Sequence, residues 1–178
     1  MNDTPPRVYI IASAAPPVLY LVELLGHLEE AGWTSCVVAT PTAAAWIDTG
    51  KLEASTGLPV RVHPRLPWEQ DPLPPADAIV AAPLTFNTLN KWAGGISDTL
   101  ALGLLNEALG LDLPVVAAPV IKASLRRHPA YDPSVARLRA AGVSVLDPDA
   151  IAVRLPEGAL TLDWNTVTQE LNRAAGAA

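Results

Sequence analysis

The sequence predicts an α/β fold, a single domain over residues 1–178 with a mostly parallel sheet between layers of helices. Three observations carry that expectation. Short, continuous apolar runs containing Val and Ile recur along the 178 residues, the pattern of strands buried on both faces. Segments with helical spacing lie between those runs, and strands alternating with helices are the mark of a parallel sheet. Half of the residues are apolar (50%), yet the aromatics are only five Trp, three Tyr and one Phe. Ala, Leu and Val therefore dominate; Ala and Leu favour helices, and clustered Val and Ile favour strands.

Val8 to Ala12 reads as the first buried strand. Pro16 and Pro17 suit the first turn of a helix, where a missing N–H costs nothing. Val18, Leu21, Leu25 and Leu28 continue it at helical spacing, and Gly32 stops it. Thr34 to Ala39 is the second strand, Thr42 to Ile47 a short helix and Val60 to Val62 a brief third strand. Prolines 64, 67, 72, 74 and 75 make residues 64–75 an extended loop that covers something. Ala78 to Ala82 is a buried strand, and Leu100 to Leu109 a helix capped by Ser97 or Asp98. Pro114 to Ala118 and Val143 to Leu146 are strands flanking a helix from Pro133 to Ala141. A final helix puts Trp164, Val167 and Leu171 on one face. The whole reads as a three-layer, Rossmann-like (flavodoxin-like) arrangement.

The net charge is −6, from 18 acidic and 12 basic residues. Nucleic-acid binding depends on basic surface that neutralises phosphates, and no Lys/Arg cluster provides it. Cys36, the single cysteine, sits in an apolar run and reads as a buried small hydrophobe. Met1 to Arg7 lacks the pattern of a signal peptide, and no apolar run approaches the length of a membrane span. A cytoplasmic protein is expected.

In a parallel sheet of this kind, ligands bind beyond the carboxyl ends of the strands, where strand order reverses. The loops Ser13–Pro17, Thr40–Thr42, Pro83–Thr88 and Pro119–Lys122 are therefore the place to look. Hydroxyls and amides before a helix suit a phosphate, and the same residue types serve as plain helix caps. The first loop, Ala12-Ser13-Ala14-Ala15, is not the glycine-rich dinucleotide fingerprint, and no Gly-Lys-Ser/Thr loop exists. NAD binding and ATP hydrolysis lose their support.

Residues 83–98 read Pro-Leu-Thr-Phe-Asn-Thr-Leu-Asn-Lys-Trp-Ala-Gly-Gly-Ile-Ser-Asp. This segment resembles the homo-oligomeric, FMN-containing cysteine decarboxylases, the family of phosphopantothenoylcysteine decarboxylase and the lantibiotic peptidyl-cysteine decarboxylases. Pro83, Thr85, Asn87 and Thr88 fall in register with its Pro-Ala/Leu-Ser-Ala-Asn-Thr segment. Lys91, Gly95 and Asp98 match the Leu-x-Lys, Gly and Asp that come after it in the family. Ala76-Asp77 matches as well, and Phe86 replaces a small residue. The first loop is similar to the family's Gly-Ser-x-Ala, and Thr40 and Thr42 match hydroxyls after its second strand. In order and spacing the resemblance covers residues 7 to 146.

The resemblance implies FMN, held by Pro83, Thr85, Phe86, Asn87, Thr88 and Ala118, with Ser13, Ala14, Thr40 and Thr42 around the phosphate. It also implies a homotrimer, or an assembly of trimers, and a small-molecule or peptide substrate. Two catalytic features depart from the family. Its Pro-x-Met-Asn-x-x-Met-Trp segment reads Pro119-Val120-Ile121-Lys122-Ala123-Ser124-Leu125-Arg126 here, placing Lys122 where decarboxylation needs Asn. An ammonium only donates hydrogen bonds, whereas an amide also accepts. Lys122 is left to pair with an anionic substrate or the flavin, or to lie at the surface. The family's histidine opens a helix; His63 lies in a proline-flanked stretch instead. It is either a general acid/base or a loop histidine without a role.

These features imply a flavin-dependent redox enzyme. Oxidative decarboxylation of a C-terminal peptidyl-cysteine and a non-catalytic FMN scaffold or regulator are the alternatives. A flavin prenyltransferase ranks below them.

Overall fold

The computed structural model describes residues 5–176; part of Met1 to Arg7 lies outside them. Strands β1 (Arg7–Ala12), β2 (Thr34–Ala39), β3 (Ala78–Leu84), β4 (Val115–Pro119) and β5 (Ser144–Val145) form one sheet in the order β2-β1-β3-β4-β5. All neighbours are parallel; Val8 lies opposite Ser35 on one side and Ala78 on the other. The order reverses between β1 and β3, so the crevice expected for a ligand opens there.

Alternate residues of the strands feed two cores, as the period-2 geometry of a strand requires. Val8, Ile10 and Ala12 point into the first, which is closed by α1 (Leu21–Glu30) and the last helix. Tyr9 and Ile11 point into the second. It is closed by α4 (Phe86–Ala93), α5 (Leu100–Gly110) and α7 (Tyr131–Ala140). Trp92 is 1% exposed in that second core and donates its indole N–H to the Leu105 carbonyl at 3.0 Å.

Several local expectations need correction. The helix after β2, α2, covers only Pro41–Ala44, and a further helix, α3, follows at Thr49–Thr56. Asp48 caps α3 by accepting the Lys51 N–H at 3.0 Å, and Gly57 ends it at φ 69°, a conformation that suits glycine. Residues 60–62 make no strand beyond one bridge, Arg61 to Val38. Pro59 and Pro64 lack N–H donors, which limits any ladder there. The cap of α5 is Thr99, which accepts from the Leu102 N–H at 3.2 Å. Ser97 accepts from Asn106 and Asp98 pairs with Lys91 instead. Short helices α6 (Ala123–Arg126) and α8 (Pro148–Ile151), and an antiparallel hairpin of β6 (Ala152–Arg154) and β7 (Leu160–Leu162), were not foreseen. The last helix is α9 (Trp164–Gly176), with Trp164, Val167 and Leu171 buried.

The proline-rich loop has no helix or strand between Pro64 and Pro75. It covers the second core: Leu73 is buried there, and Tyr9 donates its hydroxyl to the Pro74 carbonyl at 2.6 Å. Cys36 belongs to the same core, fully buried, its thiol pushed up to about 11 by desolvation. Native protein at mildly alkaline pH is expected to leave a thiol-reactive aromatic disulfide untouched, with one equivalent consumed on unfolding. Fast reaction of the native chain would place β2 wrongly.

Candidate functional site

The C-terminal ends of β1 and β3 are tied together by one buried hydroxyl. Ser13, 2% exposed, donates its Oγ–H to the Pro83 carbonyl at 2.9 Å and accepts the Thr85 N–H at 3.3 Å. Thr85 then caps α4, accepting the Thr88 N–H at 3.3 Å and donating to the Thr88 hydroxyl at 3.1 Å. Next to them, the Thr40 N–H reaches the Ala12 carbonyl at 2.9 Å, and the Thr40 hydroxyl caps α2. Three neighbouring strand ends thus present hydroxyls on one edge of the sheet.

A cleft of about 950 Å³ opens beside this edge. One wall is Ala14, Thr85, Phe86 and Asn87; the floor follows Pro119 to Lys122; the far wall comes from α8 and the β6–β7 hairpin. Its size is that of a small-molecule or cofactor site. A depression of about 540 Å³ lined by Pro114, Val143 and Ser144 lies at the opposite, N-terminal ends of the strands, away from the crevice. Across the cleft, both terminal nitrogens of Arg126 meet the two oxygens of Asp149 at 2.8 Å. That guanidinium holds the Asp149 carboxyl below the ordinary carboxylate range. Phe86 meets the His128 ring edge-on, with centroids 5.5 Å apart.

The fold gathers most of the residues singled out in the sequence, in unequal roles. Ala14, Thr85, Phe86, Asn87 and Lys122 line the cleft. The exposed Asn87 side chain has no hydrogen-bond partner among the described residues, so its amide is free for a ligand. Ser13, Pro83, Thr88 and Ala118 are buried just behind that surface. Thr40 and Thr42 flank it at the end of β2, with Thr42 exposed on α2. His63 is exposed, its carbonyl accepting from Arg61, and it is not among the residues lining the cleft. The sequence reading missed Asp149, Arg154 and Leu160 as parts of the site. The turn Leu155-Pro156-Glu157-Gly158 between Val153 and Leu160 was the hairpin signal available.

The family model described as Flavoprotein matches residues 1–175. The chain belongs to the flavoprotein family. Among curated relatives is the coenzyme A biosynthesis bifunctional protein CoaBC of Mycolicibacterium smegmatis, 32% identical over 149 residues. The match takes in 74% of this chain and 34% of that protein, so this flavoprotein spans about a third of the relative's length. Two solved structures share the fold. A PPC decarboxylase variant complexed with pantothenoylaminoethenethiol has TM-score 0.73 and 22% identity, covering 95% of this chain and 97% of the other. The FMN-dependent cysteine decarboxylase SpaF has TM-score 0.72 and 24% identity, covering 96% and 97%. These likenesses establish the flavodoxin-like architecture, with its five parallel strands between helices.

The donor set of this flavoprotein fits a flavin. Alanines 14 and 15 give a flat apolar surface, Phe86 an aromatic one, and Asn87 an amide that both donates and accepts. Among the described residues no helix is long and apolar enough to cross a membrane.

Proposed function

We propose that this flavoprotein binds FMN at the C-terminal edge of its sheet and acts as a flavin-dependent redox enzyme on a small-molecule or peptide substrate. One observation carries the reading: Ala14, Thr85, Phe86 and Asn87 share a cleft with Lys122 and the hairpin. A ligand placed against the first group has room for a second molecule beside it.

Bound FMN would supply two-electron chemistry, and the protein supplies position and electrostatics. Thr85, Asn87 and Thr88 would hold the flavin, with Ser13 keeping their loop in place. Ala14, Thr40 and Thr42 would surround the phosphate, and Pro83 and Ala118 would back the ring. Lys122, at the edge of the floor, would meet the substrate and not the ring. His63 has no part in this arrangement within one chain. The same reading makes the protein a cytoplasmic homotrimer, or an assembly of trimers.

The departure at Lys122, Leu125 and Arg126 favours a substrate other than the one read by an asparagine at that position. Oxidative decarboxylation of a C-terminal peptidyl-cysteine is the second reading, supported by the likeness to SpaF. A scaffold with an inert flavin is the third.

Purified protein is expected to be yellow and to release FMN on heating. Colourless protein that also ignores added FMN would sink the proposal. Cys-ending peptides incubated with the loaded protein separate the next two readings: loss of carbon dioxide by mass spectrometry supports the second. A flavin that no donor reduces supports the third. Light scattering reads the assembly.

A further inference from the structure

The cleft carries unmatched charge of one sign. Lys122 is exposed at its edge, and no carboxylate among the described residues forms an ion pair with it. Arg154, on the hairpin side, donates only to the Gly158 carbonyl at 3.3 Å. Arg126 directs both terminal nitrogens at Asp149, and its Nε is buried with no acceptor among the described residues. Asp149 is the acid lining the cleft, and Arg126 engages both of its oxygens.

Lys122 and Arg154 are therefore cations with no carboxylate partner among the described residues, in a protein whose net charge is −6. Groups of that kind ask for an acceptor bearing negative charge. Much of the remaining wall is apolar, with Leu19, Ile121, Leu125, Leu160 and Leu162 facing the space. Leu19 and Leu125 are 59% and 38% exposed, surface that an apolar ligand would cover.

We propose that the cleft selects an apolar molecule carrying one oxyanion, a carboxylate or a phosphate, with Lys122 contacting the anion and Arg154 adding to the field around it. The inference rests on the proposed flavin site for the place of the reaction. Lys122 is then a specificity-determining residue: an ammonium rewards a full negative charge, which a neutral amide in the ligand does not offer. The apolar wall binds the ligand's body irrespective of that charge.

Calorimetric titration of FMN-loaded protein with hexanoate, hexyl phosphate and hexanamide tests this. At least one anion is expected to bind about tenfold or more tightly than hexanamide. The preferred anion tells whether a carboxylate or a phosphate is read. In Lys122→Gln the preference should fall to about twofold or less, while Lys122→Arg keeps it and both variants retain FMN and the wild-type Tm. Equal binding of all three probes, no heat with any of them, or a preference that survives Lys122→Gln would overturn the inference. An unloaded chain that refuses FMN yet keeps the preference would refute the flavin reading alone. A loaded chain without the preference would refute this inference alone.

Discussion

Trp92→Ala is expected to lower the stability of the folded chain by about 3–5 kcal/mol. The side chain is 1% exposed, and its N–H donates to the Leu105 carbonyl at 3.0 Å, joining α4 to α5 across the second core. Truncation opens a cavity among Leu89, Leu102 and Leu105, all members of the same cluster, and removes a buried hydrogen bond. For a domain of this size the loss corresponds to a fall in Tm of roughly 6–20 °C. Trp68→Ala is the control, because that ring is 79% exposed in the proline-rich loop and should shift stability by no more than about 0.5 kcal/mol. Urea unfolding of both variants checks the pair. Similar losses at the two positions would mean that the second core is not organised around Trp92.

Ser13→Ala should damage the site more than the fold. The Pro83 carbonyl keeps a partner, since it also accepts the Ser13 N–H at 2.9 Å. The Thr85 N–H does not, for its bond to the Ser13 hydroxyl at 3.3 Å is lost. An orphaned donor at a partly buried position costs about 1–3 kcal/mol. The strain falls on the loop that carries Thr85, Phe86 and Asn87, so FMN affinity should weaken on the order of tenfold, the equivalent of ~1.4 kcal/mol. Thr42→Ala, at an exposed position on α2, should leave the melting temperature unchanged and affect only FMN uptake. Flavin fluorescence titration alongside thermal melts separates the two. Wild-type FMN affinity in Ser13→Ala would show that the hydroxyl does not organise the loop.

The parallel sheet was legible because its strands are buried on both faces and cannot hide among polar residues. Runs such as Thr34 to Ala39 and Ala78 to Ala82 appear as strands within two residues of those limits. The local errors fall where one or two hydrogen bonds decide, or where a segment carries little apolar pattern. Thr99 takes the cap of α5 from its place directly before Leu100, while Ser97 and Asp98 are engaged by Asn106 and Lys91, nine and seven residues away. Helix α3 buries only Leu52 and so shows almost no apolar stripe. At the site, the loop after β3 could be read because its residues stand next to one another. The far wall could not, since Asp149 lies 23 residues from Arg126 and β6 is exposed throughout. His63 attracted attention as the histidine ahead of Ala76-Asp77, where the resembled family carries its own, and the fold leaves it outside the cleft.

Among the described residues, the β6–β7 hairpin is hydrogen-bonded to no strand of the main sheet. The cleft is thus bounded by two pieces of chain with separate obligations. The loops after β1 and β3 are bound to the packing of the interior, and a change there is felt by the whole molecule. Leu162 is buried in the first core and anchors the hairpin, whereas residues 152–159 are mostly exposed and form one face of the opening. Descendants of this chain can therefore rewrite that stretch, and with it the choice of molecule admitted, while inheriting the opposite wall intact.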